Sequence, residues 1–114
     1  MDAIDADNTT GKYILVDGEP VEEPDLMAWG RWFEDADRQV ALTYIDEART
    51  VRVSTVFLGL DHTLARPCRD GAAPILWETM VFGGKLDQEQ ERYETKAEAV
   101  AGHNEWVKKA QEAA

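Results

Sequence analysis

The chain of 114 residues reads as an α+β domain, an antiparallel sheet of about four to five strands with two helices packed on one face. Three observations predict it. Short stretches rich in β-branched and aromatic residues recur along the chain. Two longer stretches carry apolar residues at helical spacing. Strong turn signals, Asp17-Gly18 and Gly83-Gly84, separate the strand-like stretches. With 44% hydrophobic and 9% aromatic residues, the chain has enough apolar mass for a core and is not disordered throughout.

Tyr13 to Val16 favours a strand, and Asp17-Gly18 closes it as a tight hairpin turn in which glycine takes positive φ. The return strand, Glu19 to Glu22, is broken by Pro20, which suits a sheet edge. Pro24 and Asp25 then open a helix, since proline is tolerated in a first turn. Leu26, Trp29, Phe33 and Ala36 fall on one face predicted to be buried; Trp32 borders that stripe, Met27 lies off it, and the helix ends near Asp37.

Val40, Leu42 and Tyr44 alternate with polar or small residues, and Asp46 to Arg49 makes a hairpin loop. In the next strand Val51, Val53, Thr55 and Phe57 share one face, and Arg52, Ser54, Val56 and Leu58 share the other, until Gly59 ends the pattern. Residues 61–74 form a long loop rich in proline, glycine and small residues, of the kind that is often functional. Ile75 to Phe82 is a further strand stopped by Gly83-Gly84, and Lys85 to Glu94 is polar with room for a short strand at Glu91 to Tyr93. Thr95 and Glu98 make a capping box. The helix behind it places Ala99, Val100, His103, Trp106, Val107 and Ala110 on one face, with Lys108 and Lys109 near its carboxyl end. Residues 1–11 are expected to be a disordered acidic tail and 12–112 a single domain.

The charge is unevenly placed. The formal net charge is −11, and residues 1–47 hold 13 acids against 3 bases while the remainder is nearly balanced. Direct binding of nucleic acid is disfavoured, because that affinity comes from Lys and Arg displacing counterions. Anionic membrane surfaces are disfavoured for the same reason. No apolar run approaches the roughly 20 residues that span a bilayer. The acidic start, Met1 to Thr10, does not resemble a signal peptide. With Cys68 as the only cysteine, no disulfide forms within the chain, and a cytosolic location is expected.

No catalytic motif stands out, and no catalytic residue, metal ligand or cofactor is assigned. His62 and His103 are the only histidines, and with Asp61 they could form a metal site only if the fold joined the loop to the last helix. The plainer expectation for His103 is a half-buried helix residue with one nitrogen bonded to backbone. Cys68 lies near Arg66 and Arg69, which would lower its pKa, yet no base is paired with it. Glu78 is the lone charge among Leu76, Met80 and Phe82, and a cross-strand ion pair with Arg52 would satisfy it. Gly83-Gly84-Lys85-Leu86-Asp87 lacks the remainder of a phosphate loop and reads as a turn.

The acidic clusters carry the sharper reading. Glu34, Asp35 and Asp37 are predicted in the last turn of the first helix, where anions oppose the helix dipole. Glu22 and Glu23 precede that helix, and Asp87, Glu89 and Glu91 form another group. Such acids either keep the chain soluble or meet a basic partner, displaying carboxylates where a nucleic acid displays phosphates. Trp32 is the candidate anchor, because tryptophan is enriched at binding hot spots.

At VSTVFLGLDH (Val53 to His62), ILWETMVFGG (Ile75 to Gly84) and RYETKAEAVAGH (Arg92 to His103), the chain resembles small uncharacterised proteins encoded by bacteriophages and prophages. Their shared opening is like YILVDGEPV and their helix like LMAWGRWFE, so the resemblance covers most of residues 13–107. It implies a phage-derived protein made in a bacterial host cytoplasm and supplies no catalytic residues. The combined expectation is a non-enzymatic, anti-CRISPR-like inhibitor of a basic host defence protein that binds nucleic acid. The alternatives are a small metal-dependent hydrolase using Asp61, His62 and His103, or an accessory protein with a structural role, a homodimer being compatible with any of them.

Overall fold

Two turns with glycine at positive φ set the boundaries of the strands in the structure, a computed structural model that describes residues 11–61 and 73–114. The fold is α+β, with antiparallel sheets of two and four strands and two helices. It divides into two compact units, one within Met1–Asp37 and Gly59–Pro74, the other Arg38–Leu58 with Ile75–Ala114. The predicted tail, apart from Gly11, and the loop residues His62, Arg66, Cys68 and Arg69 lie outside the described residues.

In the first unit β1 (Tyr13–Val16) pairs with β2 (Glu19–Glu22), from Tyr13 opposite Glu22 to Val16 opposite Glu19. Asp17 at φ 54° and Gly18 at φ 84° make the turn whose twist matches the strands. Helix α1 (Leu26–Asp35) follows, and its element contacts are with β1.

The second unit is a four-stranded antiparallel meander of β3 (Gln39–Tyr44), β4 (Arg52–Phe57), β5 (Trp77–Phe82) and β6 (Gln90–Tyr93), in that order. Helix α2 (Lys96–Ala113) packs on one face of it and touches all four strands. Of the two helices expected on one face of a sheet, α2 packs on this one, whereas α1 belongs to the first unit. Asp46 builds the β3–β4 turn by accepting bonds from the Thr50 and Val51 amides, at 2.8 and 3.0 Å, and from the Thr50 hydroxyl. Those bonds, the Thr50 hydroxyl first, hold the Asp46 carboxyl below the usual carboxylate range. After β5, Gly83 at φ 89° passes so close to the Thr50 carbonyl that a Cβ could not be accommodated.

The alternation read in β4 is the core itself: Val53, Thr55 and Phe57 are fully buried, beside Trp77, Thr79 and Val81 of β5. Phe57 meets Trp77 edge-on, with ring centroids 5.4 Å apart. Ala99, His103 and Ala110 are the buried residues of α2. Val100, predicted on the same stripe, is 43% exposed, so the sheet covers a narrower arc of the helix than periodicity suggests. Thr95 caps α2 by accepting the Glu98 amide at 3.0 Å, while Glu98 reaches back to the Glu94 amide, one residue before the cap.

Glu78 is satisfied differently from the prediction. It lies opposite Arg92 of β6, which donates from Nε to Oε2 at 3.0 Å. Arg52 lies opposite Phe82, four residues along β5, and stacks over that ring at 4.2 Å. The pairing of β5 with β6 decides the matter by offering Glu78 a cation directly across the ladder.

Candidate interaction surface

Asp25 starts α1. Its Oδ1 accepts the amides of Met27 and Ala28 at 3.0 and 3.4 Å, and Glu23 Oε2 accepts the Asp25 amide at 3.1 Å. The helix stops where Ala36 turns extended, at φ −75° and ψ 142°, with its amide still bonded to the Trp32 carbonyl at 2.9 Å. Glu34 and Asp35 therefore occupy the last turn as predicted, whereas Asp37 lies beyond the helix. No basic residue offsets them in that turn.

Trp29 and Phe33 hold the helix in its unit. Trp29 Nε1 donates to the carbonyls of Tyr13 and Gly59, at 3.2 and 3.1 Å, and the two rings lie 4.8 Å apart. Gly59, at φ 80°, lies under them, and a Cβ there would press on Phe33 at 3.0 Å. Tyr13, partly buried next to this contact and near the carboxylates of Glu22 and Asp61, has its pKa raised, by burial first.

Among the described residues nothing covers the opposite edge of α1. Leu26, predicted as buried, is 63% exposed and Met27 is 66% exposed; α1 contains no fully buried residue. Among the described residues nothing lies within 4 Å of a Cβ at Gly30, one turn beyond Leu26. Leu26, Met27, Trp29, Gly30, Arg31 and Glu34 line an open groove of about 370 Å³. Trp32 is half-buried, with its ring 6.5 Å from that of Phe33, so it is less available than the Leu26–Met27 pair. Part of the signal for this groove was in the sequence: two adjacent large apolar residues stand about 100° apart on a helix, so a narrow buried stripe leaves at least one of them exposed.

The predicted acids divide between the units: Glu22, Glu23, Glu34, Asp35 and Asp37 belong to the first, Asp87, Glu89 and Glu91 to the second. Two of the latter three hold local structure. Asp87 Oδ1 accepts the Gly83 amide at 2.6 Å, and Glu91 Oε1 accepts Trp106 Nε1 at 2.9 Å, leaving Glu89 exposed without such a bond among the described residues. Among the described residues Glu34 and Asp35 make no ion pair.

His103 is 3% exposed and has both ring nitrogens engaged. Nε2 lies 2.9 Å from Thr43 Oγ1, and Nδ1 2.8 Å from Thr55 Oγ1, which meets Thr79 Oγ1 at 2.5 Å. The prediction of a backbone bond is corrected: α2 brings the ring onto Thr43 and Thr55, the latter backed by Thr79, and threonine hydroxyls can donate or accept. Burial pushes the His103 pKa below its ordinary value. Neither nitrogen is free for a metal in this arrangement, and no group of three candidate metal ligands occurs among the described residues. Asp61 is described, with its amide bonded to the Gly11 carbonyl at 2.8 Å, but His62 is not.

Comparison with protein-family models, curated proteins and solved structures returns no match. Among the described residues no helix is long and apolar enough to cross a membrane. What the molecule itself defines is an α+β fold in which one helix carries an apolar groove beside carboxylates.

Proposed function

We propose that the protein is a non-enzymatic binder that uses the acidic surface around α1 to occupy a basic site on another protein. The observation that carries this is the placing of Glu34 and Asp35: exposed, without an ion pair among the described residues, at the helix end where their charge is unfavourable. Solubility alone does not call for acids at that position. The resemblance to bacteriophage proteins gives the context, a phage product acting in the host cytoplasm on a nucleic-acid-binding defence component, in the manner of an anti-CRISPR inhibitor. Carboxylates would compete there with the phosphates that the target normally holds.

The test is capture from a bacterial lysate on the immobilised full chain at 0.1 M and 0.5 M salt, with nucleic acid as competitor. Salt at 0.5 M shortens the Debye length to about 4 Å. The proposal expects a complex that weakens steeply with salt, is displaced by nucleic acid, and is lost when Glu34, Asp35 and Asp37 become lysine. A complex indifferent to salt and to these changes contradicts it.

A further inference from the structure

We infer that the groove along α1 receives a basic amphipathic helix of the partner, whose apolar side chains seat between Leu26 and Met27 over Gly30. This rests on the functional reading above and adds the chemistry of the partner's contacting element. Three features of the groove lead to it.

Leu26 and Met27 expose about two-thirds of their surface side by side, while the other large apolar residues of α1 are partly buried. Methionine adapts its shape to varied apolar neighbours, which suits a docking surface. Gly30 faces open space, so a partner's backbone can approach α1 more closely there than any side chain would allow.

The ends of the groove define the partner's charge. Glu34 lines the groove and Asp35 follows it in the chain, while Glu23 and Asp25, bonded through the Asp25 amide, precede Leu26 at the start of the helix. At a rise of 1.5 Å per residue the ten steps from Asp25 to Asp35 span about 15 Å, or nearly three turns of a second helix. Arg31 is the single cation along that length. A helix with two or three apolar residues on one face and Lys or Arg at its margins matches both the groove and its ends. A second copy of this chain does not, since it would bring one strongly acidic surface against another.

The experiment is an NMR titration of the ¹⁵N-labelled full chain with three synthetic helical peptides of equal length. One is Leu/Lys amphipathic, the second replaces its leucines by alanine, and the third replaces its lysines by glutamate. The expected result is saturable binding of the Leu/Lys peptide, with the largest amide shifts at Leu26, Met27 and Gly30. Binding should weaken at least tenfold for the Ala/Lys peptide, and at least tenfold for the L26A/M27A chain with the Leu/Lys peptide. Equal binding of both basic peptides, unchanged by L26A/M27A, overturns the groove while leaving the acidic-surface reading intact. Failure of both basic peptides to bind overturns the two together, and equal binding of the Leu/Glu peptide overturns the assignment of charge. The spectrum of each variant chain verifies that it remains folded.

Discussion

The two units use their apolar residues in opposite ways. In the second, β4 and β5 each bury three alternate side chains and α2 covers them with Ala99, His103 and Ala110. In the first, α1 has no fully buried residue, and Leu26 and Met27 face outward. The acids follow that division only in part, since Asp25 and Glu23 of the first unit hold the start of α1. Asp46, Asp87, Glu91 and Glu98 of the second unit each accept a bond that closes a turn, holds a tryptophan or anchors a helix start. Glu34 and Asp35 of the first have no such task. A region whose side chains are committed to packing has stability as its first role; one whose side chains remain uncommitted is available for contact.

The contrast can be broken most easily at the core. Phe57→Ala should cost about 3–5 kcal/mol, because it empties a fully buried site between β4 and β5. L26A/M27A should change stability by only about 0.5 kcal/mol per site, since those side chains are already in solvent. Urea unfolding of both variants compares the two regions directly, and similar losses would refute the division. Trp29→Phe is intermediate: the ring packing on Phe33 largely survives, but the carbonyls of Tyr13 and Gly59 lose their shared donor, at a cost of about 1–2 kcal/mol.

The buried histidine gives a pH signature to the second unit. The folded state holds His103 below its ordinary pKa, so the unfolded chain binds more protons as the medium acidifies. The contribution is therefore intact above the unfolded value of about 6.5 and is lost as pH falls below it, by at most about 1.4 kcal/mol per pH unit. Unfolding midpoints between pH 7.5 and 5.5 should fall for the native chain and fall less for His103→Gln. An identical pH dependence in the variant would remove His103 from the account.

Much of this fold was legible in the sequence, and the remainder was hidden for physical reasons. The Asp17-Gly18 hairpin, the alternation in Val51 to Leu58, the stop at Gly83-Gly84 and the Thr95 cap are local, each decided by a few adjacent residues. Strand order is not local, and it determined what Glu78 and Arg52 meet: Arg92 and Phe82, neither of which could be chosen until β6 was known to lie beside β5. Helical periodicity ranks positions around an axis but does not say how wide the covering surface is. Leu26 and Val100 both fell outside it. For the candidate surface, the acids and their conflict with the helix dipole could be read directly, whereas the groove beside them needed the packing of Trp29 and Phe33 to show which edge of α1 was left bare.

The smallest expected change in stability accompanies the largest in binding, and this pairing tests the central claim most directly. E34K/D35K removes two anions from the carboxyl end of α1, so the dipole predicts a gain of a few tenths of a kcal/mol for each. The measurement is the affinity of this variant for the partner captured at 0.1 M salt, alongside its thermal unfolding. The account predicts at least a tenfold loss of affinity with Tm unchanged or slightly raised. Unaltered affinity in a variant that folds as well as the native chain would contradict it.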